Sequence, residues 1–343
     1  MEVEASVEST YLIHGIGLRL STNSKVILDS VDQLMFPFRA PPAEVGGEEL
    51  SLHLMGLDKP DDIPHLVPSG ARILYRSSEK DAFDLRKLYD LSLACHFDGK
   101  VMYWDFGERG LVACDAREGE ARGFVVEAER APRSLISHWF FLHTLNDLLR
   151  ARGLFPIHAS CVAQEGMGVM MPGLSGSGKT TACIALVLGG FDFLSDDRSF
   201  LRRVGEGLEL LAFPEGVDVT DNTVALFPEL EEQLGRRKGG GKGKRSFLMD
   251  VMRPGSLVER CVPRLLLFPT VVREERSRLE PVSKAWALKQ LLPQSLLVFE
   301  PEIAARQFDA LSSLVEGTYS YRLHCGQDIC ALPELVRGVL WGG

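Results

Sequence analysis

The chain has 343 residues, 45% of them hydrophobic and 25% charged, the composition of a folded protein with room for two domains of ordinary size. Its net charge of −9, from 38 basic and 47 acidic residues, argues against a general attraction to nucleic acid or to an anionic membrane surface. No apolar run approaches the roughly 20 residues of a membrane-spanning helix, and the start Met-Glu-Val-Glu-Ala is acidic where a secretory signal is basic. The seven cysteines form no Cys-x-x-Cys pair, which suits reduced packing thiols, so a cytoplasmic protein is expected.

Between Tyr11 and Pro68, Pro41-Pro42, Gly46-Gly47, Pro60 and Pro64 interrupt every candidate element. Over residues 71–128, short β-prone runs alternate with turn signals such as Asp98-Gly99, which predicts an antiparallel meander. Residues 1–130 therefore read as a β-rich first domain. Leu135, Trp139, Leu142, Leu145 and Leu149 then keep helical spacing up to a stop at Gly153, which makes 131–153 a helix joining two domains.

The second domain, 154–343, opens with predicted strands over 156–164 and 169–171, separated by a turn at 165–168. A helix over 180–188 stops at Gly189-Gly190, a strand follows at 191–195, and 199–204 with 208–213 read as a hairpin. Beyond Glu229 the pattern is lost until a buried strand at 262–268. Helices are then expected at 282–292 and 302–315, a strand at 319–323 and a last helix near 329–340.

The run Gly173-Leu174-Ser175-Gly176-Ser177-Gly178-Lys179-Thr180 matches G-x-x-x-x-G-K-[ST] in full, between a predicted strand and a predicted helix as that motif demands. Glycines at 173, 176 and 178 let the backbone curl so that successive N–H groups, with those of Ser175 and Ser177, converge on phosphate oxygens. Lys179 would neutralise the β- and γ-phosphates, Thr180 would ligate Mg²⁺, and Thr181 continues the phosphate-facing turn. This composes a site for ATP and Mg²⁺.

Asp196-Asp197 ends the strand expected at 191–195, which the crossover rule puts in the same sheet as the strand feeding the loop. One carboxylate can hold Mg²⁺ while the other accepts a proton from an attacking hydroxyl. His158 lies on the strand before the loop strand, where a histidine is either a hydrogen-bonded core residue or part of a site. Residues 236–245 hold six basic residues, four glycines and no acid. Such a segment is either a charge clamp over phosphates, with Lys244 and Arg245 as contributors, or a solvated loop.

Pro156-Ile157-His158-Ala159-Ser160, the loop through Thr181, Gly190 and Leu194-Ser195-Asp196-Asp197 together resemble the catalytic domain of the bacterial HPr kinase/phosphorylase family. The resemblance runs from Leu154 to the C-terminus, strongly as far as Asp197. It implies an α/β fold in which a P-loop kinase domain of the HPr kinase and phosphoenolpyruvate carboxykinase type follows an N-terminal β-rich domain. It also implies an oligomer and γ-phosphate transfer from ATP to a hydroxyl, such as the serine of a protein or peptide. Position by position, it makes His158 an active-site residue, Lys179 the phosphate binder, Thr180 the Mg²⁺ ligand and Asp197 the proton acceptor, leaving Asp196 to the metal. The family's glycine-rich signature after the Asp pair has no match here, where Leu208-Glu209-Leu210-Leu211-Ala212-Phe213-Pro214-Glu215-Gly216 stands in its place. Phosphorylase activity is therefore not implied. Two other readings stay open, a kinase acting on a small alcohol and a non-catalytic regulator that senses ATP.

Overall fold

The computed structural model describes residues 7–45, 49–77, 91–234, 245–295 and 300–341. The chain divides into two units, Met1–Arg152 and Gly153–Gly343. No helix among the described residues is long and apolar enough to cross a membrane.

In the first unit, β1 (Val7–Ile13), β2 (Ile16–Thr22), β3 (Glu49–Leu57), β4 (Arg72–Arg76), β5 (Ala94–Phe97), β6 (Met102–Asp105), β7 (Gly110–Asp115) and β8 (Glu120–Val126) form one sheet. Its order is β1-β2-β3-β8-β7-β6-β5-β4. β4 to β8 make the antiparallel meander expected over 71–128. Ahead of it, where proline and glycine blur the pattern, a β1–β2 hairpin leads into α1 (Lys25–Met35), which crosses over to β3, parallel to β2.

α1 can cross because Ile27, Val31 and Met35 recur every four residues and are fully buried, giving the helix a single apolar stripe. Its start is fixed by Ser24, whose Oγ accepts from the N–H of Ile27 at 3.4 Å and donates to Glu129 Oε1 at 3.2 Å. Ser24→Ala should cost about 1 kcal/mol of stability, the usual value of such a cap. The check is a lower urea midpoint with an unchanged slope.

The helix expected over 131–153 as a connection between domains falls within the first unit and is present in two forms. Leu135–Leu142 is π-helical, and only His143–Ala151 (α2) is α-helical. The apolar pattern explains the first form, since the buried residues Leu135, Ile136 and Ser137 recur five positions later as Phe140, Phe141 and Leu142. A five-residue repeat is buried by i→i+5 winding and not by a 3.6-residue turn. This helical segment packs on α1 and β7 of the first unit.

The second unit contains β9 (Phe155–Gln164), β10 (Met167–Pro172), β11 (Asp192–Ser195), β12 (Arg198–Val204), β13 (Gly207–Ala212), β14 (Val217–Val219), β15 (Arg245–Phe247), β16 (Arg260–Val271), β17 (Arg278–Pro281) and β18 (Tyr319–Cys325). Its helices are α3 (Lys179–Leu188), α4 (Asp221–Val224), α5 (Pro228–Leu234), α6 (Met249–Met252), α7 (Lys284–Leu291), α8 (Pro301–Gly317) and α9 (Leu332–Leu340). β14 and β15 pair with each other, and the remaining strands share the large sheet.

Within that sheet β10, β16 and β18 are mutually parallel, while β9 is antiparallel to both β10 and β11. β11 therefore runs in the same direction as β10, as the crossover rule requires, but β9 is inserted between them. Both faces are covered, and the strands show it by alternation. Val169 and Met171 pack with α3 and α9 on one side, while Met170 packs with α7 and α8 on the other. Leu265 and Leu267 against Leu266 and Phe268 repeat the division on β16. The result is a mixed α/β unit in which four strands bring their carboxyl ends to one edge. Ligands of open α/β sheets bind at that edge.

Candidate functional site

β10 ends at Pro172 and α3 begins at Lys179, so residues 173–178 must turn the chain from strand to helix in six positions. Gly176 and Gly178 adopt φ of +81° and +102°, a region that disfavours side chains. The fit around Gly178 is also tight, because a Cβ there would stand 3.0 Å from Val271 Cγ2 at the end of β16. The loop thus lies on the sheet edge with the positive end of α3 behind it. Ser175 and Gly176 are exposed, whereas the Ser177 Oγ is buried and without a hydrogen-bond partner among the described residues. A Cβ at Gly173 would come within 2.8 Å of that oxygen, so glycine keeps the hydroxyl's space open. A buried hydroxyl beside a curled backbone suits an oxygen-rich anion.

Lys179 is only 7% exposed, and its Nζ donates to the carbonyls of Gly173 at 2.7 Å and Leu174 at 3.2 Å. Thr180 Oγ1 donates to Asp196 Oδ2 at 2.9 Å. The other oxygen of Asp196 lies 2.7 Å from Ser160 Oγ. Burial pushes the Asp196 carboxyl above its ordinary range, helped by the charge of Asp197 and opposed by the Ser160 and Thr180 hydroxyls and by Lys179. A cation bound there would reverse that balance. Thr180 Oγ1 and Asp196 Oδ2 are hard oxygens of the kind Mg²⁺ takes in small number from protein while phosphate and water supply the rest. The residues present therefore fit Mg²⁺ beside a phosphate group.

Asp197 has a different setting although it is the next residue. Its side chain is 58% exposed, and its Oδ1 lies 2.8 Å from His158 Nε2. Residual burial would raise this carboxyl, but the hydrogen bond and charge of His158 and the charges of Arg198 and Lys179 outweigh it and hold Asp197 well below the usual range. Two adjacent carboxyls are thus driven apart, one towards the neutral form unless it has a cation, the other firmly ionised. The antiparallel pairing of Arg198 on β12 with His158 on β9, and the Ala159 N–H donated to Asp197 O at 3.2 Å, bring Asp197 alongside His158.

Thr181 Oγ1 lies 3.4 Å from Thr223 Oγ1 on α4. Arg245 sits on β15 opposite Val219, and its guanidinium pairs with Asp221 Oδ1 at 3.2 Å, also on α4. The structure therefore joins His158 to Asp197 and Thr180 to Asp196 by direct contact, with Lys179 held on the carbonyls of Gly173 and Leu174, while Arg245 belongs with α4. Lys244 and the rest of the basic segment before Arg245 lie outside the described residues.

Four contributors escape the sequence reading. Ser160 is two residues from His158 on the same strand, so strand alternation alone would have put both on one face. Arg198 follows the Asp pair directly; its guanidinium reaches Glu215 Oε1 at 3.0 Å and lies over the Phe213 ring at 5.5 Å. Burial raises the Glu215 carboxyl, with Arg198 opposing and Asp197, Asp196 and Asp218 reinforcing the rise. Gln294, whose Oε1 is 3.0 Å from His158 Nδ1, is 136 positions away and carries no local signal.

No family model and no curated protein matches the chain. Among solved structures, the HPr(Ser) kinase/phosphatase from Coxiella burnetii is distantly similar, with 15% sequence identity and a TM-score of 0.30. That match covers 54% of this chain and 95% of the other.

Proposed function

We propose that this protein is an ATP-dependent kinase that transfers the γ-phosphate to a hydroxyl acceptor, with its P-loop site in the second unit. The observation behind this reading is the pairing of a P-loop threonine with one carboxylate and of a histidine with the next. Thr180 meets Asp196 at 2.9 Å, and His158 meets Asp197 at 2.8 Å. Nucleotide binding alone calls for the first contact. A second, ionised carboxylate oriented by an imidazole is what proton removal from a hydroxyl calls for.

In this mechanism the backbone of residues 173–178 and the Lys179 ammonium bind the phosphates. Thr180 and Asp196 would hold Mg²⁺, which when bound would supply charge neutralisation for phosphoryl transfer. His158 orients Asp197, and Asp197 accepts the acceptor's hydroxyl proton. The exposure of Asp197 supports an acceptor as large as a serine carried on a protein or peptide. The buried thiols, among them Cys161, Cys183 and Cys261, fit a reducing compartment such as the cytoplasm.

Incubation of the purified protein with γ-labelled ATP and host-cell extract tests the reading. Label should enter a protein or peptide. Label entering a small metabolite would shift the acceptor class, and no transfer despite ATP binding would favour a sensor. A narrower test addresses the metal. Asp196→Ala should remove most of the Mg²⁺-dependent gain in ATP affinity, about tenfold or more, because a charged metal ligand is lost. Titration with ATP in Mg²⁺ and in EDTA should give nearly the same affinity for this variant.

A further inference from the structure

We propose that Gln294 is a positioning residue for His158, holding the imidazole by Nδ1 so that its Nε2–H stays directed at Asp197. The catalytic part of this proposal rests on the phosphoryl-transfer reading above; the geometric part does not.

An imidazole bonded at one nitrogen can swing about χ2 and exchange tautomers, so a single contact to Asp197 leaves the ring underdetermined. His158 has a second contact. Gln294 Oε1 lies 3.0 Å from Nδ1 while Asp197 Oδ1 lies 2.8 Å from Nε2, so the ring is held at opposite corners. With Nε2–H directed at the Asp197 carboxylate, the Gln294 amide at Nδ1 fixes the ring from the opposite corner. His158 then meets the Asp197 carboxylate as a donor, leaving Asp197 Oδ2 for the acceptor's hydroxyl.

The base from which Gln294 reaches is itself fixed. It ends the short turn Leu292–Gln294 after α7. Ser295 closes that turn, its N–H donating to Leu292 O at 3.2 Å and its Oγ lying 3.3 Å from Leu291 O and 3.1 Å from Leu292 O. From α8, the buried Gln307 donates its Nε2–H to Ser295 O at 2.5 Å. A side chain on so constrained a turn can define a ring plane, as residues supporting a reactive group generally do.

The test uses two variants of the full-length protein. Gln294→Met keeps length and volume and removes the acceptor; Gln294→Glu restores one. In ¹⁵N spectra of side-chain-labelled apo protein, wild-type His158 should give one sharp pair of ring-nitrogen signals, with the Nε2 proton protected from exchange. Gln294→Met should broaden or average that pair for His158 alone, and Gln294→Glu should retain it. In phosphoryl transfer, Gln294→Met should lower kcat about tenfold, with KM for ATP unchanged, and Gln294→Glu should recover to within about threefold. An unaltered His158 signal in Gln294→Met overturns the proposal, and so does an altered signal with unchanged kcat. If the wild type transfers phosphate to nothing tested, the kinase reading fails, and the spectra alone decide whether Gln294 holds the ring.

Discussion

Asparagine at position 197 should cut phosphoryl transfer by at least about a hundredfold while leaving MgATP affinity within about threefold. The substitution is nearly isosteric, and the side chain is 58% exposed, so it opens no cavity and strands no buried charge. The contact with His158 survives, because an amide oxygen at Oδ1 still accepts from Nε2. The proposed metal site should survive too, since Asp196 keeps Thr180 and Ser160 as its partners. What is lost is a carboxylate able to take a proton. Asp197 is held below the ordinary carboxylate range by His158, Arg198 and Lys179, which overcome its residual burial, so it stays ionised in neutral and mildly acidic solution. A hydroxyl is a weak nucleophile there, and a positioned base typically contributes 10²- to 10⁴-fold, a range the prediction takes at its lower end. Single-turnover kinetics with saturating MgATP separate the two effects. Transfer at the normal rate in a folded Asp197→Asn protein would remove the base from the mechanism.

Legibility in the sequence tracks how local the cause is. The glycine-rich loop and its flanks are visible because the glycines, Lys179 and Thr180 lie within one short stretch of chain, and the motif depends on that continuity. The Asp pair is visible because it terminates a short apolar strand. The meander over 71–128 is visible because hairpins announce themselves by turn residues at regular spacing. By contrast, the β1–β2–α1–β3 arrangement is blurred by prolines and glycines in its connections, although the stripe Ile27, Val31, Met35 is a readable helical face. The π-helical turn at Leu135–Leu142 is hidden for another reason, because Leu135, Trp139 and Leu142, four and three positions apart, satisfy a 3.6-residue stripe by themselves. Gln294 reaches His158 only through the packing of α7 and α8 against the sheet, and Arg245 is drawn to Asp221 by the pairing of β14 with β15. Those placements are set by tertiary structure, and no spacing in the sequence encodes them.

Lys179→Ala should weaken ATP binding by about 2 kcal/mol or more, roughly thirtyfold, without unfolding the protein. The ammonium is almost fully buried, yet its partners include backbone carbonyls, those of Gly173 and Leu174. Such dipoles steady a cation without neutralising it. Its position is set in advance by the loop proposed to bind phosphate oxygens. Alanine removes the charge at the first position of α3, where it is a good helix former, so the helix and the sheet beneath should persist. The lysine also shapes the loop, and a second variant separates that role from charge. Lys179→Met keeps most of the stem's length and packing but no donor. Equal losses in Ala and Met assign the effect to charge, while a milder loss in Met would assign part of it to loop shape. Nucleotide length gives an internal control. A P-loop lysine acts on the β- and γ-phosphates, so ATP and ADP should weaken while AMP binds wild type and variant alike. Calorimetry with the three nucleotides, alongside thermal melts, reads all of this. Unchanged MgATP affinity in a folded Lys179→Ala protein would mean that the loop does not bind phosphate, and the proposed roles of Thr180, Asp196 and Asp197 would fall with it.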